Sequence, residues 1–161
     1  MKVLLTRPQG RNQAMEQQLS QRDVAFHVTP LLAVVATTEQ LDQNSLNNID
    51  NLLFISTNAV KFAAQKLQQF PTHCRYFAVG QATADSLAQY HIHALASPET
   101  SQDSEGLLSL PQLQDVDKQT FMIVRGVGGR ETLAEQLTER GARVNYWQVY
   151  QRIHAQQEHA L

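Results

Sequence analysis

The chain has 161 residues, 42% hydrophobic and 17% charged, enough apolar matter for one packed domain, or one with part of another, and too much for a disordered chain. A formal net charge of −2 supplies no basic field for nucleic acid, so none is expected as a partner and an anionic ligand must be held by a local cluster. Cys74 is the only cysteine, which excludes an internal disulfide framework or a cysteine-based zinc site. No apolar run reaches the length of a signal-peptide core or a membrane span, so the expected location is the cytoplasm, with no membrane partner.

In chain order, "KVLLTR" (2–7) is a short apolar run stopped by Pro8 and reads as a buried strand. "GRNQAMEQQLSQRD" carries a thin apolar stripe at helical spacing through Ala14, Met15 and Leu19. "VAFHVTP" (24–30) and "LLAVVATT" (31–38) read as strands, and "EQLDQNSLNNIDN" as a loop with a short helix. Three β–α units follow. "LLFIS" leads into "TNAVKFAAQKLQQF", "RYFAVG" into "QATADSLAQYH", and "FMIVRG" into "GRETLAEQLTERG". Between the last two lie a short strand, "IHALA", and "SPETSQDSEGLLSLPQL", a loop with a short helix. "ARVNYWQVYQRI" (142–153) is a long strand candidate.

Two units resemble each other: "YFAVGQATADSLAQYHIHAL" and "MIVRGVGGRETLAEQLTERGARV" share a strand, a glycine bend, Thr, Leu and a second strand. Repeated β–α units predict a parallel sheet with helices on both faces. Ligands of such sheets bind beyond the carboxyl ends of the strands. That rim collects Ser56, Thr57, Gly80, Thr83 and the 125–130 loop.

The loop "VRGVGGR" has Gly126, Gly128 and Gly129 for close backbone approach, then a helix start with unpaired N–H groups. Arg125 and Arg130 flank it. An arginine at a helix start opposes the macrodipole, which suggests an anion between the two. The loop reads equally as a tight turn with solvated arginines. It is neither a Walker motif nor a full dinucleotide fingerprint, which disfavours a nucleotide-binding domain. Ser56, Thr57 and Thr83 are either ordinary helix-start hydroxyls or ligand contacts. In a regular strand Tyr146, Gln148, Tyr150 and Arg152 share one face, so Tyr150 and Arg152 present a phenol beside a cation, or an aromatic ladder. The six histidines do not cluster, His91 and His93 lack further ligands at metal spacing, and no metal site is expected.

The ordered set "KVLLTRP", "FISTNAV", "FAVGQATADSL", "SEGLL", "VRGVGGRETLAEQLTERGARV" and "VYQR" resembles the uroporphyrinogen-III synthase family and covers most of the chain. The resemblance implies a cofactor-free enzyme of tetrapyrrole (heme) biosynthesis. Its substrate would be hydroxymethylbilane, closed with loss of water and inversion of the last pyrrole. It also implies two similar α/β domains joined by a two-stranded β linker, with the site in the cleft between them and the first domain discontinuous. The expected fold is a parallel-sheet, flavodoxin-like α/β domain with helices on both faces, plus an incomplete second α/β domain. Residues 1–32 would be the opening fragment of domain 1, 33–37 and 148–153 the linker strands, 38–147 the complete domain 2, and 154–161 a frayed tail.

Family members run on past the return linker. The resemblance therefore implies a chain lacking the C-terminal part of domain 1, making little product alone, whose exposed N-terminal strands favour a homodimer. Members tend to have glycine where His91 stands, closing a helix in the left-handed conformation, so modest strain is expected there. Tyr150 matches the tyrosine proposed in the family to assist loss of water, and Ser56 and Thr83 match positions implicated in it. Substrate carboxylates are assigned to Thr6, Ser56, Thr57, Gly80, Thr83, Gly128 and Gly129, with charge from Arg125 and Arg130. The alternative is a non-catalytic α/β module binding a carboxylate or phosphate through the same rim.

Overall fold

A computed structural model describes residues 3–5, 26–28, 33–38 and 41–153. The chain divides into two compact units, Met1–Val35 with Gln151–Leu161, and Ala36–Tyr150. In the first, β1 (Val3–Leu5) and β2 (Phe26–Val28) pair in parallel, Val3 opposite Phe26 and Leu5 opposite Val28. The helix expected between them lies outside the described residues.

The remaining strands form one six-stranded sheet. They are β3 (Ala33–Ala36), β4 (Asn51–Phe54), β5 (Arg75–Ala78), β6 (Leu95–Ala96), β7 (Thr120–Gly126) and β8 (Arg143–Ile153), in the spatial order β3-β8-β7-β4-β5-β6. The pairings of β4 with β5 and β7, β5 with β6, and β7 with β8 are all parallel. Helices α1 (Thr57–Lys66), α2 (Gln81–Ala88), α3 (Ser104–Leu108) and α4 (Thr132–Glu139) fill the crossovers, and 3₁₀ helices lie at Gln43–Asn48 and Pro111–Leu113.

Strand alternation sorts the core onto both faces. Leu53, Phe77, Phe121 and Ile123 pack with Leu107, Leu108, Leu133 and Leu137 of α3 and α4. α1 packs against α2 and β7, burying Ala59, Val60, Phe62 and Ala63, while α2 buries Leu87. β4 and most of β7 are buried throughout, as a strand covered by helices on both sides must be. The chain runs from β4 outward to β6, then crosses back to β7 on the other flank of β4. Loops after β4 and β7 therefore diverge at the sheet's switch point, the place where ligands of such sheets bind.

The internal repeat is visible in the helix ends. Ile92 N–H bonds Leu87 C=O at 3.2 Å and His91 N–H bonds Ala88 C=O at 3.0 Å. The second copy repeats this with Ala142 to Leu137 and Gly141 to Thr138, both at 3.0 Å. Both are Schellman closures, which need a left-handed residue. Gly141 supplies φ 95, whereas His91 holds φ 63 with a side chain attached.

Candidate functional site

The switch-point loops bring together three residues. Ser56 follows β4 and caps α1, its Oγ accepting the Ala59 N–H at 3.1 Å. The same Oγ lies 3.1 Å from the Tyr150 hydroxyl. Gly126 ends β7 directly opposite Tyr150. Tyr150 is only 5% exposed, and its ring stacks on Phe62 of α1 with centroids 5.7 Å apart.

This corrects the expected strand face. The register runs Arg125 opposite Gln148 and then Gly126 opposite Tyr150, leaving Val149 as an extra residue in β8. The bulge breaks alternation, so Val149 and Tyr150 are both buried. Tyr146 sits on the face of α3 and α4, while Tyr150 engages α1. Thr37 accommodates the bulge: its Oγ1 donates to Gln148 C=O at 2.6 Å and its N–H to Val149 C=O at 3.2 Å.

Tyr146 is held differently. Its hydroxyl donates to Glu131, and the Arg125 guanidinium lies 4.4 Å from its ring centroid. Burial first, then the hydrogen bond to Glu131 and its charge, push the Tyr146 phenol up to about 12. Tyr146 is thus engaged in holding the loop, through Glu131 and Arg125.

Arg125, the residue expected to offer charge to a ligand, is engaged by backbone carbonyls. Arg125 is 5% exposed and turned into its own loop. Nε donates to Gly126 C=O at 3.1 Å, Nη1 reaches Arg130 C=O and Glu131 Oε1 at 3.4 Å each, and Nη2 donates to Gly128 C=O. The cause is simple. A guanidinium leaving a buried strand end finds three backbone carbonyls within reach and donates to them. Because C=O and N–H are antiparallel across a trans peptide, drawing in the Gly128 and Arg130 carbonyls aims the Gly129 and Glu131 N–H groups away from Arg125. Among the described residues neither N–H meets an acceptor, and α4 has no side-chain cap. Gly128 and Gly129 take φ 83 and 105, conformations that only glycine adopts readily.

Arg130 is exposed and pairs with Glu105 at 2.7 Å, a surface contact worth about 0–1 kcal/mol. On the neighbouring loop after β5, Gly80 takes φ 88 and offers no side chain to cap α2, and Gln102 Oε1 accepts the Gln81 N–H at 2.8 Å instead; Thr83 is 3% exposed in the first turn. α1 and α3, by contrast, are capped by Ser56 and Asp103. Thr57 is half-buried at the start of α1, and Thr6 lies outside the described residues. In the sequence Gly126 reads only as a bend. Its role is steric, and its signal is the β8 register, which no local pattern carries.

Two concavities lie away from Tyr150 and Ser56. A cavity of about 610 Å³ sits at the amino-terminal edge of β5, lined by Phe70, Cys74, Tyr76, Tyr90 and His91, and contains none of the expected residues. One of about 300 Å³ includes Thr57 but not Ser56 or Tyr150. Cys74 there is no nucleophile: burial and the Asp50 charge raise its thiol to about 11.

The sequence profile described as uroporphyrinogen-III synthase HemD matches residues 13–161. The chain belongs to the uroporphyrinogen-III synthase family. It is 36% identical to the uroporphyrinogen-III synthase of Proteus mirabilis, over 95% of this chain and 81% of that protein. Against the synthase of Salmonella typhimurium strain LT2 it is also 36% identical, over 94% of this chain. It spans 65% of that protein's length, so a third of the relative has no counterpart among these residues. The fold is similar to that of uroporphyrinogen III synthase from the extremely thermophilic bacterium Thermus thermophilus, with a TM-score of 0.67 at 18% identity over 98% of this chain and 64% of that one. The Helicobacter pylori structure gives 0.57 at 18% identity over 80% and 56%.

Proposed function

We propose that this chain serves the reaction named in its relatives, the closure of hydroxymethylbilane to uroporphyrinogen III. The observation that carries the reading is the Tyr150 phenol set 3.1 Å from Ser56 at the switch point of a sheet belonging to this family. In this reading, loss of hydroxide from the bilane needs a proton, and Tyr150 donates it. General acid catalysis of such a step contributes about 10²–10⁴-fold. The Tyr150 hydroxyl suits the task because Ser56 and Phe62 hold it in one place.

Closure without an enzyme gives the isomer whose last ring is not inverted. The protein's larger task is therefore to hold a flexible polycarboxylate in one folded pose, an effect of proximity and orientation. The N–H groups at Gly129 and Glu131, the uncapped start of α4, the Gly80 loop, and the hydroxyls of Thr57 and Thr83 would grip its acetate and propionate groups. Ser56 orients Tyr150, Arg130 lends charge at the rim, and Arg125 acts by shaping the loop. Thr6 is assigned a carboxylate by the same reading, with 38–147 as the complete domain. No helix among the described residues is long and apolar enough to cross a membrane.

The test incubates the protein with hydroxymethylbilane, separates the product isomers and follows Tyr150 and Gly128–Arg130 by NMR. Type III product above the spontaneous background, with substrate-induced shifts confined to those residues, supports the reading. Type I product alone, with those resonances unmoved at saturating substrate, overturns it.

A further inference from the structure

Tyr150 reaches Ser56 through a slot that depends on the missing side chain of residue 126. A Cβ built on Gly126 would lie 2.6 Å from Cε2, 2.7 Å from Cζ and 3.0 Å from Cδ2 of Tyr150, closer than real Cβ contacts come. Gly126 is not among the positive-φ glycines, so backbone freedom is not why glycine stands there. It serves as the stop for one edge of the ring. Phe62 is the stop for a face, with centroids 5.7 Å apart and planes 27° apart. The hydroxyl then falls on Ser56 Oγ, itself fixed by the Ala59 N–H.

The bulge supplies the rest. In an unbulged register Val149 would lie opposite Gly126, and Tyr150 would face the other way. Val127 N–H bonds Tyr150 C=O at 2.9 Å. Thr37 holds the two bulge carbonyls, and Lys66, one helical turn beyond Phe62, donates to Thr37 C=O at 2.7 Å. Helix α1 thus grips both the ring and the strand that carries it.

We propose that Gly126 is a positioning residue for the reaction, acting only through Tyr150: its absent side chain sets the phenol against Ser56 and the bound bilane. This rests on the reading of Tyr150 as the proton donor. The experiment compares wild type, Gly126→Ala and Phe62→Leu with ¹³C-labelled tyrosine, alongside single-turnover formation of type III product. In Gly126→Ala the Tyr150 resonance is expected to move while those of Tyr76, Tyr90 and Tyr146 hold. The rate should fall about 10- to 100-fold with bilane affinity within about twofold. Adding Gly126→Ala to Tyr150→Phe should lower the rate no further.

An unmoved Tyr150 resonance overturns the slot. So does an equal loss of rate in the Phe background, because the glycine would then act on something other than the phenol. Phe62→Leu adds no atom and relaxes the face stop instead. It should show the same signature, weakened, and its failure to move Tyr150 counts against the slot even if Gly126→Ala does not fold. If wild type forms no type III product, the functional reading fails first, and the resonance arm alone judges the slot.

Discussion

Replacing Arg125 with Met separates a loop clamp from a ligand-binding cation. The guanidinium donates to three carbonyls, of Gly126, Gly128 and Arg130, and faces Glu131 and the Tyr146 ring. Gly128 and Arg130 are exposed, so their carbonyls turn to water when the cation goes. The Gly126 carbonyl belongs to a buried residue and does not. One charge-assisted hydrogen bond contributes about 1.5–3 kcal/mol, and the contact with Tyr146 about 1 more. Recovered hydration of the cation offsets part of this, leaving a loss of about 2–4 kcal/mol, a large share of an ordinary domain's stability. The melting temperature should fall by roughly 10 °C. Arg125→Lys should recover less than half, because one ammonium cannot span three carbonyls. Urea unfolding gives the stability, and amide exchange across 127–131 reports the loop. If Arg125→Met lies within about 0.5 kcal/mol of wild type with exchange unchanged while bilane binding weakens, the clamp is wrong and the charge serves the ligand directly.

Tyr150→Phe should slow type III formation about 10²–10⁴-fold with bilane affinity nearly unchanged, and unaltered single-turnover kinetics would remove the phenol from the mechanism. His91→Gly should stabilise the protein by about 1 kcal/mol, by relieving a left-handed φ of 63 at a helix end. Gly141→Ala should destabilise it by about 2 kcal/mol, because a Cβ there would lie 2.3 Å from Asp117 Oδ1 at a φ of 95; equal stabilities in urea would refute both. For pH, the folded Tyr146 phenol at about 12 lies above its ordinary 10.0. Its contribution is therefore fully present below about pH 10 and is lost as the pH rises towards 12. Tyr146→Phe should flatten the fall of stability across that window, and parallel curves for the two proteins would contradict it.

Much of the architecture is local in origin and could be read along the chain. Short apolar runs such as "LLF" and "FMIV" become buried parallel strands because helices cover both of their faces. The helix starts at Ser56 and the stops at His91 and Gly141 follow from side-chain capping and left-handed φ, which depend on a few neighbouring residues. The rim of Ser56, Gly80 and the 125–130 loop follows from β–α repetition alone, since every such loop leaves the sheet at the same end.

What the tertiary structure decided is which groups meet there. Tyr146 and Tyr150 are four residues apart in one strand and share a face by parity. One inserted residue sends them to opposite faces, and that insertion is defined only by the partner strand β7 and by Thr37. The direction of Arg125 was equally hidden. Its sequence neighbours suggest a rim cation, but the loop's carbonyls draw it inward. Gly126 looks like its neighbours Gly128 and Gly129 in the sequence. Only the placement of the Tyr150 ring distinguishes a glycine required by its φ from one required by the space beside it. Register and side-chain satisfaction depend on residues distant in the chain, so they become readable only when the strands are paired.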